Sequence, residues 1–193
     1  MLVVLIILPT VMKQRLLFLG PPGAGKGTQA VRLADSHALL HLSTGDLLRA
    51  EVAAGSDLGQ EARAVMARGE LVSDALVLAI VRRRLSGHQG GWLLDGFPRN
   101  LAQAEALDAL LGELSQQIEL VVLMEVDDAV LIQRLLSRGR ADDNEAVIRH
   151  RLEVYREQTA PLIEHYRGQG LLQSVEAAGT VEAIAERIRA LLS

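Results

Sequence analysis

The sequence contains no cysteine, which excludes disulfides, thiol nucleophiles and Cys-ligated zinc. Lysine is nearly as scarce: of 20 basic residues only Lys13 and Lys26 are lysines. A lysine that falls inside a motif is therefore conspicuous. Long apolar runs are missing as well. The N-terminal stretch Leu2–Leu8 spans seven residues and is stopped by Pro9, whereas a membrane span needs about 20. The nearest positive charges, Lys13 and Arg15, come after that stretch, the reverse of a secretory signal. Residues 1–11 therefore read as an extension ahead of a second start-like residue, Met12. No excess of positive charge exists either. With 24 acidic residues the net charge is −4, which argues against coating of nucleic acid or of an anionic membrane surface. His37, His41, His88, His150 and His165 show no metal-ligand spacing, and no Ser-His-Asp or paired-carboxylate arrangement is evident. Repeats, low-complexity segments and Pro/Gly-rich linkers are also lacking, so one domain over residues 12–193 is expected, with the cytoplasm as the default compartment.

What is present is ample core material, 49% hydrophobic against 23% charged residues. Short apolar runs alternate with longer stretches of helical periodicity. The runs at Arg15–Leu19, Gly91–Leu94, Glu119–Val126 and Leu171–Val175, with a weaker one at Leu39–Leu42, read as strands. Helices are expected over Lys26–Ser36, Asp46–Ala54, Leu58–Arg68, Asp74–Leu85, Leu101–Leu111, Asp128–Leu136, Glu145–Tyr166 and Val181–Leu192. Unbroken apolar strands separated by helices predict a three-layer α/β domain, a parallel sheet covered on both faces. The stretch about 43–72 resembles a helical insertion. Trp92 reads as core, and Arg82, Arg83 and Arg84 as a solvated helix face.

Gly20-Pro21-Pro22-Gly23-Ala24-Gly25-Lys26 follows a strand and opens a helix. This is the setting of a phosphate-binding loop: glycines let backbone N–H groups converge on phosphate oxygens at the positive end of a helix, and Lys26 adds a point charge. Gly27 stands where the general form has Ser or Thr, and Thr28 follows, so the usual Mg²⁺-gripping hydroxyl is missing from its place. Asp95 ends the run Trp92-Leu93-Leu94, which puts its carboxylate at the carboxyl edge of the sheet, where ligands of open α/β sheets bind.

Through Gln29 this loop resembles that of the adenylate kinase family, one of the nucleoside monophosphate kinases. The resemblance continues through Ser43-Thr44-Gly45-Asp46-Leu47-Leu48-Arg49, Gly69–Asp74, Leu94-Asp95-Gly96-Phe97-Pro98-Arg99, Arg138–Asp143 and Arg151. It implies a P-loop kinase fold and reversible phosphoryl transfer from Mg·ATP to AMP, giving two ADP, by a monomer acting on small nucleotides. It implies that Gly23, Ala24, Gly25, Lys26, Gly27, Thr28, Arg138 and Gly179 meet ATP, with Arg134 nearby. It assigns AMP to Thr44, Arg49, the backbone of Glu70, Leu71 and Val72, the segment Gly96, Phe97, Pro98 and Arg99, and Gln103. Arg140 and Arg151 are implied on AMP or the shared phosphates, and Asp95 on Mg²⁺ through water; no zinc is implied. Thr44 favours AMP, because related UMP/CMP kinases tend to carry Ala there. Only Gly139 separates Arg138 from Arg140, which leaves a short lid at about 137–143. A UMP/CMP kinase of the same fold, and a P-loop regulator that phosphorylates no metabolite, are the alternatives.

Phosphoryl transfer onto a phosphate needs charge neutralisation and exclusion of water rather than a strong base. A site rich in arginine, several of them suited to bidentate phosphate contacts, fits that demand.

Overall fold

The computed structural model describes residues 12–68, 70–139 and 144–193. The expected N-terminal extension and residues 140–143 of the expected lid lie outside the described residues. The expected strands form with shifts of a residue or so: β1 (Arg15–Leu19), β2 (Leu40–Ser43), β3 (Trp92–Asp95), β4 (Leu120–Glu125) and β5 (Leu172–Glu176). They make one parallel sheet in the order β2-β3-β1-β4-β5. The central strands carry no polar alternation because both of their faces are buried.

Side chains leave a strand alternately on opposite faces, and here that alternation builds two cores. Leu17, Leu94, Val121 and Leu123 face α4 (Asp74–Leu85), α5 (Leu101–Leu114) and α8 (Pro161–Gly168). Leu16, Phe18, Leu93, Val122 and Met124 face α1 (Lys26–His37), α6 (Asp128–Arg138), α7 (Glu145–Val154) and α9 (Val181–Arg189). Leu16 and Leu17, adjacent in β1, are both 0% exposed, one in each core. Full burial of each such side chain stabilises by ~1.5–3 kcal/mol. Between β2 and α4 lie α2 (Thr44–Ala54) and α3 (Asp57–Ala67), which send Leu48 and Ala62 into the first core.

The chain leaves β1 through α1 on one face and leaves β3 through α5 on the other, although β1 and β3 are neighbours. A crevice must open between such strands at their carboxyl ends. The glycine-rich loop and the segment Asp95–Arg99 both emerge there.

One expectation is corrected. Glu145–Tyr166 is not a continuous helix: α7 gives way to a π-helical turn, Tyr155–Thr159, before α8 begins at Pro161. Pro161 has no N–H to donate and its ring would clash with the carbonyl four residues back, so the α-helical ladder cannot run through it. The N–H of Ala160 reaches instead to Tyr155 O, 2.8 Å away. Trp92 is fully buried and Arg82, Arg83 and Arg84 are exposed, as read from sequence. Among the described residues no helix is long and apolar enough to cross a membrane.

Candidate active site

The loop between β1 and α1 is shaped by three glycines at positive φ, where side chains are disfavoured: Gly20 (φ 143°), Gly23 (φ 87°) and Gly25 (φ 94°). A Cβ on Gly20 would sit 2.7 Å from the carbonyl oxygen of Met124, so only glycine lets the loop turn so close to β4. No side chain caps the N-terminus of α1 and no acidic residue occupies its first turn. Its end therefore turns backbone N–H groups and a positive dipole toward an anion. Lys26 Nζ donates to the carbonyls of Gly20 (2.7 Å) and Pro21 (3.0 Å), which keeps the ammonium at the loop rather than in the core.

A Cβ on Gly27 would lie 3.3 Å from Asp95 Oδ2. A side chain at 27 would therefore need the carboxylate of β3 to give by a few tenths of an ångström. Asp95 itself is 8% exposed. Just beyond it, Gly96 O accepts from Thr44 Oγ1 (2.9 Å) and from Arg99 Nε (2.7 Å). The cap of α2 is Ser43, whose hydroxyl accepts from Asp46 N. The Thr44 hydroxyl instead ties α2 to the end of β3.

Arg99 is the electrostatic centre. Burial holds its guanidinium below the ordinary value; Asp95 opposes the shift, while Arg151 and Arg49 add to it. Arg49 and Arg151 thus lie close enough to Arg99 to act on its charge, a cluster of guanidiniums receptive to phosphate. Arg49 is paired with Asp46 on the same helix. The Arg99 carbonyl accepts from the buried Thr159 hydroxyl at 2.7 Å, so the π-helical turn holds the arginine's backbone.

Gln103, 2% exposed, accepts at Oε1 from Arg99 N (2.6 Å) and donates from Nε2 to Asp74 Oδ1 (2.6 Å). Glu70 pairs with Arg68, whose hydrogen bond holds the Glu70 carboxyl below the usual range. On the far side, Arg134 Nη2 donates to Ala177 O (3.1 Å), and Gln29 Nε2 donates to Val181 O (2.9 Å). Gly179 (φ 104°) lies between those two anchored points.

A cavity of about 820 Å³ joins these groups. Its walls include residues 23–28, Thr44, Arg49, residues 70–72, residues 95–99, Gln103, Arg134, Arg151 and Gly179. All the described side chains singled out in sequence therefore share one crevice. Arg138 closes α6, but its side chain, like the whole of Arg140, lies outside the described part. Sequence reasoning missed Thr159 and Gln29, which also line the cavity. Gln29 closes the quoted loop motif and could have been followed up; nothing local marks Thr159.

Comparison with known proteins agrees with this geometry. The family model described as adenylate kinase matches residues 18–171. An adenylate kinase of Synechococcus sp. (strain RCC307) is 75% identical over 182 residues, covering 94% of this chain and all of that protein. The adenylate kinase of Synechococcus sp. (strain CC9311) is also 75% identical, over 183 residues, 94% of this chain and all of that protein. That of Prochlorococcus marinus (strain MIT 9303) is 74% identical over 174 residues, 90% of this chain and 96% of its own length.

Proposed function

This chain is a member of the adenylate kinase family, an ATP:AMP phosphotransferase, and from that premise we propose how its residues divide the reaction. The readings as a UMP/CMP kinase or as a regulator are not favoured. ATP lies at the N-terminus of α1, where the backbone of residues 23–28 and the Lys26 ammonium take its phosphates. Gly179 borders its base, and Arg134 and Arg138 neutralise its phosphate charge. AMP lies under the segment of about 43–72. Thr44, Gln103 and the backbone of residues 70–72 and 96–98 hold its nucleoside, and Arg49 and Arg99 its phosphate. Arg140 and Arg151 reach the phosphates the two nucleotides share, with the short lid of about 137–143 closing over them.

The attacking oxygen belongs to an already ionised phosphate, so it needs no base. It bonds to the γ-phosphorus of ATP as the bond from that phosphorus to the β–γ bridging oxygen breaks, giving two ADP. Lys26, Arg99 and Arg151 meet the charge that spreads over the transferred group; one such donor is commonly worth ~2.7–4 kcal/mol.

Mg²⁺ characteristically takes one or two carboxylates, retains several waters and binds substrate phosphates. The donor set fits that habit: Asp95 stands at the sheet edge against Gly27, and the described residues include no larger cluster of metal-binding side chains. Asp95 would hold the ion through water, and when bound it would neutralise phosphate charge. The reading also takes residues 1–11 as dispensable for catalysis and the enzyme as a cytoplasmic monomer acting on free nucleotides. The observation that carries the proposal is one cavity lined both by Lys26 of the glycine-rich loop and by the Arg49, Arg99 and Arg151 cluster. A coupled ADP assay with Mg·ATP against AMP, UMP, CMP and GMP tests it. Turnover should be fastest with AMP, and equal turnover with a pyrimidine monophosphate would refute the acceptor assignment.

A further inference from the structure

Gln103 and its neighbours carry an inference about which base the acceptor side accepts, and it rests on the reading that Gln103 meets the AMP base. A glutamine amide has a carbonyl oxygen and an NH₂ group of the same shape, and in isolation either end can point either way. Here the surroundings choose. A carboxylate only accepts, so the end of Gln103 that lies 2.6 Å from Asp74 Oδ1 must be the NH₂. A backbone N–H only donates, so the end that lies 2.6 Å from Arg99 N must be the oxygen. The two constraints agree. Each uses one hydrogen or one lone pair, leaving one N–H and one lone pair for a ligand in the cavity that Gln103 lines.

Asp74 is fixed in its turn. Asn100 caps α5, with Oδ1 accepting from Gln103 N (2.8 Å), and its Nδ2 donates to Asp74 Oδ1 (3.2 Å). Asp74 opens α4, separated by one residue from the segment 70–72 that borders the cavity. Carboxylate, cap and amide therefore close a ring across the first turns of α4 and α5. Asp74 does not line the cavity; it stands behind the amide.

Adenine presents an amino donor at C6 beside a ring-nitrogen acceptor, and a glutamine amide pairs with such an edge through both of its groups. A 6-oxo purine puts an acceptor oxygen where the amino group stood. An amide free to turn by half a revolution answers both edges, and an amide held in one orientation answers one. We propose that Asp74 is a positioning residue that locks the Gln103 amide and so makes the acceptor site select 6-amino over 6-oxo purine monophosphates.

The test compares kcat/KM for AMP with that for IMP in the wild type, Asp74→Ala, Gln103→Ala and the double variant. Ala takes away the carboxylate's share of the lock and leaves that of the Arg99 N–H, whereas Asp74→Asn can set its oxygen where Oδ1 accepts from Asn100 Nδ2 and Gln103 Nε2 and should keep the wild-type ratio. Asp74→Ser, too short to reach Gln103, serves should Ala disturb folding, which thermal melts report. The AMP-to-IMP ratio should fall roughly tenfold in Asp74→Ala, the fold-change of about one hydrogen bond, with KM for ATP unmoved. In the Gln103→Ala background the same substitution should change the ratio less than twofold. A purely structural role for Asp74 predicts equal losses for AMP and IMP, and an unchanged ratio in Asp74→Ala would overturn the proposal. Should Gln103→Ala lower the ratio while no Asp74 variant does, the lock is wrong and the adenine contact stands. Should Gln103→Ala leave both KM for AMP and the ratio unmoved, the adenine contact is wrong and the lock falls with it.

Discussion

Replacing Lys26 by Met separates what this side chain does for the fold from what it does for the reaction. Its Nζ donates to two carbonyls of its own loop, and the side chain is only half-buried. Water can replace the ammonium at those carbonyls. The stability loss should therefore stay near ~1 kcal/mol, at the low end for two hydrogen bonds. In a domain of this size ~1 kcal/mol corresponds to a fall in Tm of about 2–4 °C. The catalytic loss should be much larger. A fixed cation facing the transferred phosphoryl group is worth ~2.7–4 kcal/mol, or about 10²–10³ in kcat. Met matches the length and bulk of the stem, so loop packing survives. Thermal melts followed by circular dichroism and a coupled ADP assay read the two effects on one preparation. A folded Met variant with kcat within a few-fold of wild type would refute the role given to Lys26. A collapse of Tm beyond about 10 °C would show that the lysine holds the loop together instead.

Thr159→Val keeps side-chain shape but leaves the Arg99 carbonyl without its 2.7 Å donor. The carbonyl is only partly buried, so a loss of ~1 kcal/mol, that of one hydrogen bond, is expected; kcat and stability should both fall, while KM for ATP stays level in steady-state assays. Burial pushes the Tyr155 phenol from 10.0 up to about 12, with Glu125 adding to the shift, and burial raises Tyr166 as well. The folded state thus favours the neutral phenols. Their contribution is fully present below about pH 10 and is lost as pH rises through the folded values, so Tm should drop above pH 10. Tyr155→Phe should show a shallower drop in melts between pH 9 and 12. A chain begun at Met12 should keep wild-type turnover, because Lys13 already ties the start of the fold to the turn after α9 through its N–H on Leu192 O and its Nζ on Leu191 O. A large loss of activity in the coupled assay would refute that.

The sheet was legible because its strands are buried on both faces. Leu16-Leu17-Phe18-Leu19 and Leu120–Met124 read as strands by apolar continuity alone, and their alternation then divides between two cores. The phosphate loop was legible from spacing and context, and the acceptor-side positions from their resemblance to a known pattern. Two kinds of feature were not legible. Helical periodicity barely distinguishes a π turn from an α turn, so by pattern alone Tyr155–Thr159 reads as part of one long helix, with Pro161 the available cue to the break. Partnerships across distant segments leave no local trace. Nothing in the sequence brings Thr159 to Arg99, sets Gly27 against Asp95, or closes Gln103 on Asp74. Those contacts depend on where the loops after β1 and β3 meet, which only the assembled sheet decides.

The central claim is that one cavity holds two nucleotides, with their phosphates meeting between Lys26 and the Arg49, Arg99 and Arg151 cluster. Two adenosines joined through five phosphates place both nucleosides and the shared phosphates in a single molecule. Because occupation of the first half makes binding of the second intramolecular, avidity should exceed either separate affinity by about 10²–10⁴ if the linker spans both sites. Isothermal titration calorimetry of the linked compound, ATP and AMP against the same protein reads this directly. The account predicts one linked molecule per chain, bound far more tightly than ATP or AMP and excluding both. A linked compound that binds no better than ATP, or that leaves the AMP site open, would contradict it.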